Sequence, residues 1–202
     1  MRIPCHIIAM VIFSCGAVRS QGVETSSPSL DTVLNRDALT DIAERNPKAE
    51  VYRLTVERSF GPVLVFEIEQ QVLNVRKARL VENQEKGEFA TSYRLVRNSD
   101  VRLESEEFAN FKALLEASSF WDLPTEEWME AGMDGSSWTL EGVKAGKYHA
   151  VKRSSPLTIG PQTPLGSDVK RLAPERALLE GRLVAAFVYL WGLAGDSNEK
   201  LY

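Results

Sequence analysis

Apolar and polar positions alternate with a period of two over much of the first half of the chain. In EVYRLTVER, Tyr52, Leu54 and Val56 share one side, while Arg53, Thr55 and Glu57 share the other. In PVLVFEIEQ, Leu64, Phe66 and Ile68 face one way and Val65, Glu67 and Glu69 the other, with Phe60-Gly61-Pro62 as the turn between the two segments. This alternation predicts an antiparallel sheet with one solvated face. VRKARLVE and ATSYRLVRN add two further strands, joined across Gly87.

Three other segments carry helical spacing. Leu30, Val33, Leu34, Ala38 and Ile42 predict a short helix that stops at Asn46-Pro47, because the residue before a proline avoids the helical region. Phe108, Phe111, Leu114 and Leu115 mark a second helix. Ser105 is its expected cap, Glu106 and Glu107 suit its positive end, and it stops near Phe120-Trp121-Asp122-Leu123-Pro124. The third begins at Pro174, a favoured first-turn residue, and carries one stripe of Leu178, Leu179, Leu183, Ala186, Phe187, Leu190 and Trp191. It is expected to lie across the sheet and close the core. SSPLTIGPQTPLGSD has no periodicity and predicts a long loop, with 155–172 as a possible flap. The expected fold is therefore α+β, an antiparallel sheet covered by helices with a C-terminal amphipathic helix. One domain over 30–195 would follow a leader at 21–29 and precede a tail at 196–202.

The first twenty residues read differently. One early cation, Arg2, precedes an apolar run from Ile7 to Phe13, and Val18 and Ser20 sit at the minus-three and minus-one positions of a cleavage site before Gln21. This is the pattern of a secretory signal peptide over 1–20. A membrane anchor is the second reading, but the run is shorter than the ~20 apolar residues of a spanning helix, and His6 and Ser14 interrupt it. A lipoprotein signal ending at Cys15 is the third, with Phe13 a poor fit. Cleavage would leave no cysteine, since Cys5 and Cys15 both lie in the leader, and would place the protein in the periplasm or outside the cell.

Composition narrows the function. The chain has 202 residues, 44% hydrophobic and 26% charged, which is enough to bury a core. With 1–20 removed, Lys plus Arg falls from 24 to 22 while Asp plus Glu stays at 28, so the formal charge moves from −4 to −6. An acidic chain is a poor nucleic-acid binder, and Arg94, Arg97 and Arg102 read as solvated strand ends. No His-x-x-His, EF-hand loop, Gly-x-Ser-x-Gly, phosphate loop or dinucleotide fingerprint occurs, so no metal or cofactor is implied.

The densest chemistry lies in DGSSWTLEGVKAGKYHAVKRSSP, 134–156. A two-residue loop at Ala145-Gly146 requires positive φ at Ala145, so a three-residue loop with Gly146 left-handed is expected. That register pairs Val143 with Lys147, Gly142 with Tyr148, Glu141 with His149 and Leu140 with Ala150. Trp138, Leu140, Tyr148 and Ala150 then face the core, and Glu141 meets His149 on the other side. A carboxylate beside an imidazole is a general-base pair in principle, and more simply a cross-strand ion pair. Asp134 is a turn residue with an Asx bond, or a carboxylate beside exposed amides. Trp138 reads as a core anchor, and Tyr148 as a buried ring with its hydroxyl outward. Trp121 and Trp128 flank Glu126, Glu127 and Glu130, either as a rim for a partner or as a helix end with a solvated loop.

The pattern Phe120-Trp121-x-Leu-Pro, followed by Asp134-Gly135-x-x-Trp138-x-Leu-Glu141-Gly142-x-x-x-Gly146-x-Tyr148-His149-x-Val151-x-Arg153-x-Ser155-Pro156, resembles a family of uncharacterised bacterial proteins, many with export signals. The likeness runs from about Tyr52 to Ala194. Where that family often has a Trp before the Ser-Pro, this chain has Ser154. The resemblance implies a bacterial, exported protein and brings no activity with it. The expected function is a non-enzymatic binding module of the cell envelope, for an envelope protein or a small ligand, without a membrane span after cleavage. Its expected patch is Asp134, Trp138, Glu141, Tyr148, His149 and Arg153. The alternative is a small hydrolase using Glu141 with His149 or Asp134.

Overall fold

Alternation along six strands sorts one antiparallel sheet into two faces. A computed structural model describes residues 33–34, 37–59, 61–85, 88–125, 135–154 and 174–195. The strands are β1 (Glu50–Arg58), β2 (Val63–Glu69), β3 (Val72–Glu85), β4 (Glu88–Arg102), β5 (Ser136–Lys144) and β6 (Lys147–Ser154). They lie in the order β4-β3-β2-β1-β5-β6, and every neighbouring pair is antiparallel. Among the described residues the helices α1 (Leu39–Arg45), α2 (Ser105–Ala117) and α3 (Pro174–Leu193) accompany them. The fold is α+β. No helix among the described residues is long and apolar enough to cross a membrane.

One face holds the main core. Tyr52, Leu54 and Val56 of β1, Leu64, Phe66 and Ile68 of β2, and Leu73 and Val75 of β3 pack against Phe108, Phe111 and Leu115 of α2 and against Leu183, Ala186, Phe187, Leu190 and Trp191 of α3. β1 and β2 therefore turn towards the helices the sets that their alternation predicts. Leu178 departs from the expected α3 stripe and is exposed. The cap of α2 also differs. The chain is still extended at Glu104, whose N–H donates to the Glu107 carboxylate at 2.8 Å, and Ser105 is the first helical residue. Its hydroxyl instead reaches Gln71 Oε1 at 3.3 Å.

The second face is less solvated than alternation suggests. Leu39 and Ala43 of α1 pack on Val51 and Val143, and Leu34 packs on Val63, Val65 and Ala78. The segment around α1 covers part of this face, so Arg53 and Thr55 are buried.

The β5–β6 register corrects the expected one. Ala145 (φ 53) and Gly146 (φ 71) are both left-handed, and they form a two-residue turn between paired Lys144 and Lys147. The pairs are Val143 with Tyr148, Gly142 with His149, Glu141 with Ala150, Leu140 with Val151 and Trp138 with Arg153. A one-residue slip exchanges the faces of a whole strand. Left-handed Ala145 costs about 1–2 kcal/mol. Against that, this register buries Val151 completely, worth about 1.5–3 kcal/mol. It also points Arg153 beneath α3, where Nε and Nη2 donate to Glu180 Oε2 and Oε1 at 2.8 and 2.9 Å. Burial and the ion pair together outweigh the turn preference.

Both partners of that pair are about 1% exposed, so breaking it strands a charge in the core. Arg153→Met alone is expected to cost about 3–5 kcal/mol, because Glu180 remains buried without its counter-charge. The double change Arg153→Met with Glu180→Leu should recover most of that loss. Urea unfolding of the three proteins measures it, and an equal loss in the single and double variants would contradict the account.

Candidate functional site

The corrected register distributes the candidate residues over both faces. Trp138 is fully buried, with its ring 5.4 Å from Phe187 and stacked on Trp191 at 6.2 Å. Its indole N–H donates to Ser136 Oγ at 2.8 Å. Arg153 lies on the same face, held by Glu180 and by carbonyls of Pro124 and Lys152. His149 also faces the helix side, 5.1 Å from the Phe120 ring and 6.3 Å from that of Trp121. Glu141 and Tyr148 lie on the other face. The expected pairing of Glu141 with His149 therefore does not occur, since an imidazole opposite Gly142 points away from the Glu141 side of the sheet. Tyr148 and Ala150, expected in the core, also move to the second face, where Val151 and Arg153 leave them. Asp134, Trp128, Glu126, Glu127, Glu130, the leader, the 155–172 loop and the tail lie outside the described residues.

A polar row crosses the second face from β6 to β4. Its register positions are Ala150, Glu141, Arg53, Glu67, Asn74 and Asp100. Arg53 is the hub. Its Nε donates to Glu67 Oε2 at 2.6 Å, Nη1 lies 3.9 Å from Glu141 Oε2, and Nη2 donates to the Asp37 carbonyl at 2.8 Å. The Asp37 contact ties the row to the segment that covers this face. Tyr148 extends the row by donating its hydroxyl to Glu141 Oε1 at 3.0 Å. Further along, Asn74 Nδ2 donates to Asp100 and to Asn98.

Beside this row lies a hollow of about 320 Å³, lined by Glu67, Glu69, Gln70, Val72, Asn74 and Arg76. Four buried side-chain polar atoms have no hydrogen-bond partner among the described residues. Two of them, Asn74 Oδ1 and Arg76 Nη1, belong to residues lining this hollow. A third, Ser137 Oγ, is on the same face near a second hollow lined by Glu57, Ser137 and Ser154 among others. Only His149 Nε2 lies on the helix face. Buried groups of this kind are normally satisfied, so this face carries the larger unused hydrogen-bonding capacity. The turn at the rim is strained as well. Gln70 (φ 51) and Gln71 (φ 66) are both left-handed without being glycine, as the two-residue hairpin turn between paired Glu69 and Val72 requires. Gln71 is anchored by its carbonyl, which accepts from Leu103 N–H at 2.8 Å.

Asn74 and Arg76 were within reach of sequence reasoning. VLNVRKAR alternates Leu73 and Val75 against Asn74 and Arg76, which places both on the face of Glu67 and Glu69. A strand begun only at Val75 omits Asn74. No protein-family model matches the chain, and no curated protein matches it either.

Burial first, then the neighbouring Glu141 carboxylate, pushes the Tyr148 phenol up to about 12, while Arg53 pulls the other way. Burial, followed by Glu50, also raises Tyr52 above its ordinary value. A raised phenol favours the neutral form in the folded state. Its contribution to stability is complete below the unfolded value of about 10 and is lost as pH rises towards about 12. Glu141→Gln removes the carboxylate and should lower the Tyr148 midpoint. Ultraviolet titration of tyrosinate, compared with a Tyr148→Phe control, reads that shift, and an unchanged midpoint would mean that Glu141 does not face Tyr148.

Proposed function

We propose that this protein is an exported, non-enzymatic binding module that takes a small, hydroxyl-rich ligand on the second face of its sheet. The observation that carries this reading is that Asn74 and Arg76, which line one hollow, each hold a buried polar atom, Oδ1 and Nη1, without a partner among the described residues; a turn of either side chain brings it to the hollow. One is an acceptor and the other a donor. A hydroxyl group both donates and accepts, so one hydroxyl, or two on adjacent carbons, complements the pair. Glu67 and Glu69 add acceptors at the same wall. Export rests on the leader at 1–20, and the resemblance of the 134–156 motif to a family of often exported bacterial proteins agrees with it. The hydrolase alternative loses its pairing of Glu141 with His149, because the two occupy opposite faces, while Asp134 lies outside the described residues.

The test is amide NMR of the protein with neutral mono- and disaccharides as probes. Saturable shifts are expected around Asn74 and Arg76. Arg76→Met removes the unsatisfied donor while keeping the aliphatic stem, so it should abolish those shifts and leave stability unchanged or up to ~1 kcal/mol higher. No shifts with any probe, or shifts confined to His149 and Trp121, would overturn the reading.

A further inference from the structure

The β3–β4 ribbon carries charge opposite to that of the rest of the chain. Residues 72–102 hold seven of the 24 Lys and Arg but four of the 28 Asp and Glu, a local charge of +3 against −7 for the remainder. Pairing of β2 with β3 ends at Val63–Ala78, whereas β3 and β4 remain paired out to Glu85–Glu88, so the hairpin projects past the sheet. At the start of the projection Arg79 sits directly opposite Arg94. Both are exposed, and neither makes a hydrogen bond or ion pair with another described residue. Like charges directly opposite across a strand pair are unfavourable.

A bulge shapes this arrangement. The register shifts between Lys77 and Ala78, so that Lys77 pairs with Arg97 while Ala78 pairs with Leu95, and Val96 is the extra residue. Arg94 and Arg97 are three apart, and in a regular strand an odd spacing puts side chains on opposite faces. The bulge restores them to one face, the side on which Lys77 and Arg79 also lie. Arg97 already serves the fold, donating to Ser99 Oγ at 3.0 Å and to the Ala194 carbonyl at 3.2 Å near the end of α3. Arg79 and Arg94 have no such partner among the described residues.

We propose that Arg79 and Arg94 form an oxyanion clamp for the phosphate group of a ligand. Two guanidiniums on neighbouring strands offer parallel forks of N–H donors, which suit the oxygens of one tetrahedral anion, and the anion offsets their mutual repulsion. The site is independent of the hollow at Asn74 and Arg76. The phosphate has two sources, a free phosphorylated molecule or an anionic lipid headgroup.

The test titrates the full chain with inorganic pyrophosphate, and separately with phosphatidylcholine vesicles with and without phosphatidylglycerol. Arg79→Gln and Arg94→Gln should each weaken binding about tenfold, the loss expected for one charge-assisted contact. Loss of pyrophosphate binding in the variants assigns the clamp to free phosphate groups. The same loss seen only with phosphatidylglycerol vesicles assigns it to a headgroup. Arg94→Glu places an acid opposite Arg79, so it should raise Tm while removing binding, which separates a site from a fold defect. Binding unchanged in all variants, no binding of either probe, or binding of a short single-stranded DNA alone would overturn the proposal.

Discussion

The register of the β5–β6 hairpin governs what each face of the sheet can do. It is set by the buried pair Arg153–Glu180 and by Val151, both reached only when Ala145 and Gly146 form a two-residue turn. A slip of one residue would lift Arg153 away from α3 and strand Glu180 in the core. It would also carry Tyr148 into the apolar layer and His149 out of its aromatic neighbours. The cost of a left-handed alanine is local, while the gain is spread over a strand and a helix. The same balance leaves a tight contact at Gly142, where an added Cβ would lie 2.9 Å from Phe120 Cε1 and 3.2 Å from Tyr52 Cδ1.

With that register in place, the two faces have different tasks. The helix face is an apolar layer in which Trp138, Phe187 and Trp191 pack together and the buried charges of Arg153 and Glu180 match each other. The second face organises polar groups around Arg53, with carboxylates on both neighbouring strands. A guanidinium shared by two carboxylates is held firmly and keeps the row in place. The unsatisfied atoms of Asn74 and Arg76 lie beside this hub.

Alternation was the most legible signal. It identified the residues of β1 and β2 that face the helix layer, and the stripe of α3 apart from Leu178. The hairpin register was not legible, because turn preference is a local property and the decisive partner, Glu180, is 27 residues from Arg153 in sequence. The buried state of Arg53 was hidden for a similar reason, since period two cannot show that residues around Leu34 and α1 fold back over a strand face. Arg94 and Arg97 looked like strand ends until pairing set Arg79 and Lys77 beside them. The strained Gln70-Gln71 turn gave no sequence cue, as glutamine has no preference for left-handed backbone.

The central claim is that Glu141 and His149 lie on opposite faces of the sheet, which separates the acid–base pair expected from the sequence. Nuclear Overhauser contacts from the His149 ring test it most directly. Contacts to the ring protons of Phe120 and Trp121, with none to the Glu141 side chain, are the expected result. Contacts between the His149 ring and the Glu141 methylenes would restore the slipped register and contradict the account.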